Sequence, residues 1–450
     1  MLDMVSSADY VKLHNEAYAN AGQSSPFKKP ATDYTETTDW QKELFRTGYM
    51  QNYNLAISGG SQTLNYRVSG GYLGQEGTIV GSDYKRINVT NNLTFKPKSY
   101  LEFGESFAVN RSVTHRVATD FGGNVINDAM AMDPTIPVKD AEGNYTATAF
   151  SDIVNPLAKI HYLYGNWPYT QWGLLGNTYI QIKPIRGLTL KSSFSADLKF
   201  SDNKQFTPTY NVAPNFNNPV PRMYQQKDLV NSWTWDNTAT YDFNIADEHK
   251  FNILGGISAQ NYSFDYLNGQ NQGQPGNDPY LQYLDAGISG QQIGGREQNW
   301  SLLSYMARLN YNYKDTYFLT ATLRRDGSSK FGANYRYGNF PSASLGWNLT
   351  KENFFPQTEL VNNLKIRGSW GIVGNQASVG YYDYAARINN NYYAIGLPAL
   401  AYPTGEPGGI ENADLKWEQV QQWNAGFDYG LFNGKVTGSF DYYQKILLIC

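Results

Sequence analysis

Apolar and polar side chains alternate along most of this chain. Leu188, Leu190, Ser192, Phe194, Ala196, Leu198 and Phe200 occupy one set of alternate positions; Thr189, Lys191, Ser193, Ser195, Asp197 and Lys199 occupy the other. Tyr305, Ala307, Leu309, Tyr311 and Tyr313 alternate in the same way with Met306, Arg308, Asn310 and Asn312. Trp423, Ala425, Phe427 and Tyr429 do so with Asn424, Gly426 and Asp428. A period of two puts each set on one face of a β-strand. The pattern predicts about fourteen strands, near residues 49–59, 63–73, 84–96, 99–112, 171–184, 187–200, 228–243, 249–262, 298–313, 316–325, 338–350, 363–373, 417–429 and 435–445.

The connections separate the classes of all-β protein. Every second one is tight: 60–62, 97–98, 185–186, 244–248, 314–315 and 430–434, with 351–362 longer. Those between are mostly long, at 113–170, 201–227, 263–297 and 374–416, with 74–83 and 326–337 shorter. Outer-membrane barrels have this asymmetry of short periplasmic turns and long external loops. A propeller would repeat a blade motif every ~40–50 residues, and none is found. Strands of this length suit a tilted membrane crossing better than a soluble sheet. The predicted fold is therefore all-β, a transmembrane antiparallel β-barrel. Tyr53, Tyr72, Tyr313, Tyr317, Trp347, Trp370, Trp417, Tyr429 and Tyr442 sit at strand ends, where interface girdles are expected. A soluble β-rich carbohydrate-binding or adhesive protein is the alternative.

Residues 1–47 break the pattern. Positions 7–18 read as a short helix, with Ser7 as N-cap and a stop at Gly22, followed by Pro26, Pro30 and an amphipathic piece at 40–46. If the turn after residue 59 is periplasmic, 1–47 form an external loop segment with a short helix, and 48–450 a partial transmembrane β-barrel.

Composition narrows the function. Of 450 residues, 36 are Tyr, 22 Phe and 10 Trp, whereas charged residues make up only 17%. No stretch is apolar enough for a spanning helix, and the mean hydropathy of −0.52 excludes a helical bundle. One cysteine, Cys450, supplies neither a disulfide framework nor a thiolate cluster. A net charge of −3 gives no case for nucleic acid. His14, His115, His161 and His249 are expected on loops and a turn, without metal-ligand spacing. The start of the chain has no secretory signal pattern. No nucleophile elbow, phosphate loop or dinucleotide fingerprint occurs. Asp326-Gly327-Ser328-Ser329 faintly resembles a calcium loop but reads better as a tight external turn. Gly122-Gly123 and Gly408-Gly409 read as loop hinges. No enzyme, cofactor or metal site is expected. Ligand contacts are expected from loop aromatics, which stack on sugars or peptides: Tyr164, Trp167, Tyr169, Tyr210, Tyr224, Tyr381, Tyr392 and Tyr393.

A series of strings resembles one family. TDWQKELFR at 38–46, QNYNLAISGG at 51–60, YLGQEG at 72–77, YFLTATLRRDGSSKFG at 317–332, FPSASLGW at 340–347, LKIRGSWG at 364–371, GNQ at 374–376 and NADLKWE at 412–418 are similar, in family order, to the SusC/RagA-type TonB-dependent transporters. The resemblance implies a 22-stranded barrel in the Gram-negative outer membrane, in contact with its lipid and closed by an internal plug. It implies import of glycans or peptides, opening by TonB with ExbB and ExbD, and a SusD-like surface lipoprotein as lid. Against that pattern the chain lacks the signal peptide, TonB box, plug, first strand and C-terminal strands, and 445–450 drift from it. An internal barrel fragment is expected, one unstable or prone to aggregate when isolated, because an open sheet exposes its edges.

Overall fold

Period-two alternation becomes a single antiparallel sheet of fourteen strands. The structure is a computed structural model that describes residues 1–450 except 120–123, 150–151, 166, 357, 397, 399 and 449–450. Gly122, Gly123 and Cys450 lie outside the described residues. Helices α1 (Ser7–Asn20) and α2 (Trp40–Leu44) precede β1 (Met50–Gly60), β2 (Leu64–Glu76), β3 (Asp83–Lys98) and β4 (Leu101–His115). Helices α3 (Val125–Ala131) and α4 (Pro156–Lys159) follow, then β5 (Pro168–Ile182), β6 (Leu188–Thr207), β7 (Tyr210–Ala213), β8 (Phe216–Asn218), β9 (Arg222–Ile245), β10 (His249–Gln272) and β11 (Ser289–Tyr313). The chain continues through β12 (Tyr317–Ser328), β13 (Tyr337–Asn348), β14 (Val361–Asn375), β15 (Arg387–Ile395), β16 (Leu400–Gly409), β17 (Glu418–Leu431) and β18 (Val436–Leu448). The main sheet runs β1-β2-β3-β4-β5-β6-β9-β10-β11-β12-β13-β14-β17-β18; β7-β8 and β15-β16 are separate hairpins. Edges β1 and β18 do not meet, so the sheet is an open wall.

Each predicted strand has its counterpart, but several run further toward the long-loop end. β9, β10 and β11 reach 24, 24 and 25 residues, about 80 Å of extended chain for the longest. Beyond a bilayer both faces of a strand meet water, so the ladder continues with Gln, Asn, Gly and Lys where alternation has ceased. Tyr169 and Tyr224, expected on loops, therefore lie in β5 and β9. His115 and His249 are strand residues rather than loop residues, the last of β4 and the first of β10. Asp326, Gly327 and Ser328 are likewise paired in β12, with Asp326 opposite Gly338. The 40–46 piece is helical only as α2. Helix α1 is capped by Ser6, not Ser7: the Ser6 side chain accepts from the Asp9 amide. Gly22 then closes the exit at a φ of +69°.

At the short-turn end, Ala246-Asp247, Lys314-Asp315 and Phe432-Asn433 all take positive φ. Such turns match the twist of the strands they join. Two neighbouring turns are tied by Lys250–Asp315 at 3.0 Å and Lys314–Glu248 at 3.1 Å.

Pairing puts Phe194 opposite Trp235 and Thr178 on one face, continuous with exposed Trp172, Ile257, Leu323, Leu345 and Phe427. Rings stack across strands there, Tyr53–Tyr72 at 6.4 Å, Tyr313–Tyr317 at 6.1 Å and Tyr317–Trp347 at 6.2 Å, and Trp370 meets Trp423 at a tilt, 6.0 Å between centroids. Trp417 is the exception to the expected girdle. It precedes β17 and is buried against Phe331 and Phe340.

The compact hydrophobic clusters lie away from this face. One joins Trp40, Leu44, Ile79, Val125, Ala129, Met132 and Ile160. The other is Phe331, Phe340 and Trp417. Both draw on the long connections.

The two faces are separable by charge. Phe194→Lys is expected to cost roughly 2–4 kcal/mol in a bilayer, whereas Ser195→Lys, one residue on and beside Asp197, is expected to be near neutral. Urea unfolding of the two variants in lipid vesicles checks this.

Candidate functional site

The face opposite the apolar one is a wall of fixed polar groups. Across β9, β10, β11 and β12 a ladder forms. Asn252 Nδ2 donates to Asp242 Oδ1 (2.6 Å), Asn310 Nδ2 to Asn252 Oδ1 (3.1 Å), and Thr320 Oγ1 to Asn310 Oδ1 (2.9 Å). On β3 to β6, the Tyr179 hydroxyl donates to Glu102 (2.7 Å), which also pairs with Lys96 (3.0 Å), and Lys191 caps the Tyr179 ring at 4.1 Å. At the other edge Arg367 on β14 forks onto Asp441 of β18 (2.7 and 2.8 Å), and its Nε donates to Asp428 of β17 (3.1 Å). Arg324 joins Asp326 at 2.8 Å and Ser304 Oγ at 2.8 Å. Side chains this interlocked present donors and acceptors without having to reorganise. They suit a hydrated conduit wall.

The long-loop end is built from segments distant in sequence. Ser7 Oγ donates to the Pro134 carbonyl (2.9 Å), Thr38 Oγ1 to that of Ile136 (2.6 Å), and Trp40 Nε1 to that of Asp133 (2.9 Å). Residues 1–47 are thereby stitched to the 113–170 connection. Beside them lies an aromatic ladder. Tyr145 is 5.9 Å from Tyr162, Tyr162 stacks on Tyr210 at 4.5 Å, and Tyr210 meets Phe216 at 4.8 Å. His161 packs edge-on to Tyr162 at 4.8 Å, and Lys139 covers the Tyr145 ring at 4.6 Å. Burial raises the Tyr145 and Tyr210 hydroxyls above the ordinary phenol value. Burial, then the nearby Lys139 charge, lowers His161.

The eight predicted contact residues do not converge. Tyr164 packs on the Trp40 cluster and edge-on to Trp167 at 5.4 Å. The Tyr169 hydroxyl donates to Ser201 (2.8 Å), with Arg116 over its ring at 5.2 Å. Tyr210 belongs to the ladder, and the Tyr224 hydroxyl donates to Gln226 (2.5 Å). Tyr381 receives the Lys330 ammonium at 5.2 Å. Only Tyr392 and Tyr393, on the projecting β15-β16 hairpin, stand free, at 70% and 65% exposure. Sequence reading missed Tyr145, Lys139 and Lys330 as parts of this surface: Tyr145 and Lys330 meet rings distant in the chain, at Tyr162 and Tyr381, and Lys139 joins only by covering Tyr145. Among the described residues no group of three or more His, Cys, Asp or Glu side chains is placed to hold a metal ion.

A wide antiparallel meander, apolar on one face, polar on the other and looped at one end, defines the class: an outer-membrane-type β-barrel wall. Comparison sharpens this. Residues 143–446 match the family described as TonB dependent receptor-like, beta-barrel. The TonB-dependent receptor SusC of Bacteroides thetaiotaomicron is 30% identical over 98% of this chain and 45% of its own length. The TonB-dependent receptor P3 of Formosa agariphila is 28% identical over 98% of this chain and 43% of its own. A structure of the RagAB peptide transporter superposes with a TM-score of 0.82 at 23% identity, covering 97% of this chain and 49% of that one. The chain belongs to the TonB-dependent receptor β-barrel family, and within it to the SusC/RagA type. It spans about half the length of the relatives it matches.

Two outcomes follow from this geometry. Arg367→Met strands two carboxylates on neighbouring strands and should lower the melting temperature of the β14-β17-β18 edge. Arg367→Lys should recover only part of the loss, because an ammonium cannot fork; circular dichroism melts in detergent read both. His161 is held below its ordinary value of 6.5, so the folded loop binds fewer protons than the unfolded one. Its stabilisation is present above that value and fades as pH falls through the lowered one. Tyrosine fluorescence of the loop should therefore change on acidification, and His161→Phe should remove that change.

Proposed function

We propose that this chain forms part of the wall and external mouth of a TonB-dependent importer that takes up glycans or other large nutrients, oligosaccharides or peptides, across the Gram-negative outer membrane. The observation that carries the reading is the two-faced sheet: apolar side chains toward lipid, interlocked polar side chains toward a lumen. An apolar face of this width counts against the soluble carbohydrate-binding alternative. In this reading the short turns are periplasmic and residues 1–47 form an external segment stitched to the crown. Residues 48–450 then make up the partial barrel. The unpaired edges of β1 and β18 call for further strands, since open edges are not tolerated in hydrocarbon. Energy would come from TonB, ExbB and ExbD through a segment outside these strands.

A SusD-like lipoprotein fits over the crown. Tyr392 and Tyr393 are the foremost candidates to touch substrate or lid, because both are largely exposed and, among the described residues, their rings make no stacking or cation contact. Tyr164, Trp167, Tyr169, Tyr210, Tyr224 and Tyr381 would shape the surface from beneath.

The test is uptake by cells carrying the gene for this chain, offered fluorescent oligosaccharides and fluorescent peptides in parallel. Uptake of one class, abolished by collapsing the proton-motive force, is expected. Tyr392→Ala with Tyr393→Ala should lower it about tenfold, the loss of one to two stacking contacts of roughly 0.5–1.5 kcal/mol each. Recovery of the protein in the soluble fraction without detergent would sink the reading.

A further inference from the structure

The DGSSKFG motif at 326–332 has a structural task apart from turning the chain. Its segment between β12 and β13 grips both roots of the 376–417 connection, and it does so with two different kinds of contact. At the returning root the grip is apolar. Phe331, fully buried, packs on Trp417 at 4.8 Å, with Phe340 at 5.3 Å from the same indole and Leu415 alongside. Trp417 Nε1 donates to the Arg336 carbonyl (3.1 Å). A Cβ on Gly332 would come within 2.7 Å of the Ala413 carbonyl oxygen, so only glycine allows this approach.

At the outgoing root the grip is a single cation. The Lys330 side chain, from a residue 9% exposed, donates to the carbonyls of Val379 (2.9 Å) and Gln376 (3.3 Å). Its ammonium faces the rings of Tyr381 (5.2 Å) and Trp300 (5.9 Å). Among the described residues it makes no ion pair. The neighbouring Asp383 is engaged by Arg387 (3.3 Å) and by the Gly380 amide (2.6 Å). Gln376 Oε1 is also buried without a hydrogen-bond partner among the described residues. This root is therefore held by contacts that water can replace, and it contains one acceptor that water would satisfy. Between the roots, the β15-β16 hairpin is exposed at nearly every position.

We propose that Lys330 is a releasable latch: it positions residues 376–386 at the barrel mouth, while the Phe331–Trp417 contact is the fixed pivot about which the connection swings when the latch opens. Loss of Lys330 frees the outgoing root and leaves the returning root in place. The latch is independent of which nutrient passes.

Hydrogen–deuterium exchange by mass spectrometry, on the protein in outer-membrane vesicles, tests it. In the unsubstituted protein, 376–386 should exchange more slowly than the 387–409 hairpin. Lys330→Met should speed exchange at 376–386 by about tenfold or more and leave 413–417 and β11 to β14 unchanged. Lys330→Arg, which keeps a cation and donors, should restore slow exchange. Phe331→Ala should show the converse pattern, loosening 413–417. Tyr381→Ala, which leaves the ammonium in place but removes a ring, should give an intermediate rate at 376–386 and serves where Lys330→Met fails to insert. Equal loosening of both roots by Lys330→Met, or no change at 376–386 in either latch variant, would overturn the latch.

Discussion

Backbone hydrogen bonding between adjacent strands is the constraint on which the rest of this protein depends. Hydrocarbon supplies no partner for an amide or a carbonyl, so a chain that crosses it must close its own ladder. Fourteen strands meet that demand by pairing only with their sequence neighbours in the sheet, apart from the two excursions at β7-β8 and β15-β16. Once the ladder exists, side chains have two destinations. The apolar set faces lipid, and the polar set faces inward, where Asn, Thr, Tyr, Asp and Arg satisfy one another across strands.

This division moves the hydrophobic clusters to an unusual place. A soluble sheet buries its apolar face against a second layer; here that face is spent on the bilayer. The compact clusters therefore assemble from the long connections, around Trp40 and Val125 on one side and around Phe331 and Trp417 on the other. Such clusters give the loops defined shapes despite their length. The aromatic ladder from Tyr145 to Phe216 and the cage around Lys330 are consequences of the same arrangement.

Much of the fold was legible in the order of residues. Leu188 to Phe200 announced β6 because lipid and lumen impose opposite chemistry on alternate positions, and that opposition is written into every second residue. It failed where the opposition ends. Gln225, Gln226, Gln270 and Gln272 remain in the ladder, but water on both sides leaves no alternation to read. The candidate site was less legible. Tyr210 and Tyr381 read as free loop rings, yet they stack on Tyr162 and cover Lys330, contacts for which no spacing rule exists.

The sequence by itself determined the strands, their faces, the short and long ends, and the family. All of these follow from local periodicity, from turn chemistry, or from strings such as DGSSKFG that keep their order. Tertiary structure alone decided which aromatics are spent and which are available, that Trp417 is a buried pivot and not a girdle residue, and that Lys330 holds a loop root. The reason is distance along the chain. Ser7 meets Pro134, Trp40 meets Asp133, and Trp417 meets Arg336, across 127, 93 and 81 positions. Contacts at that range depend on where the sheet carries each loop, and no periodicity encodes it.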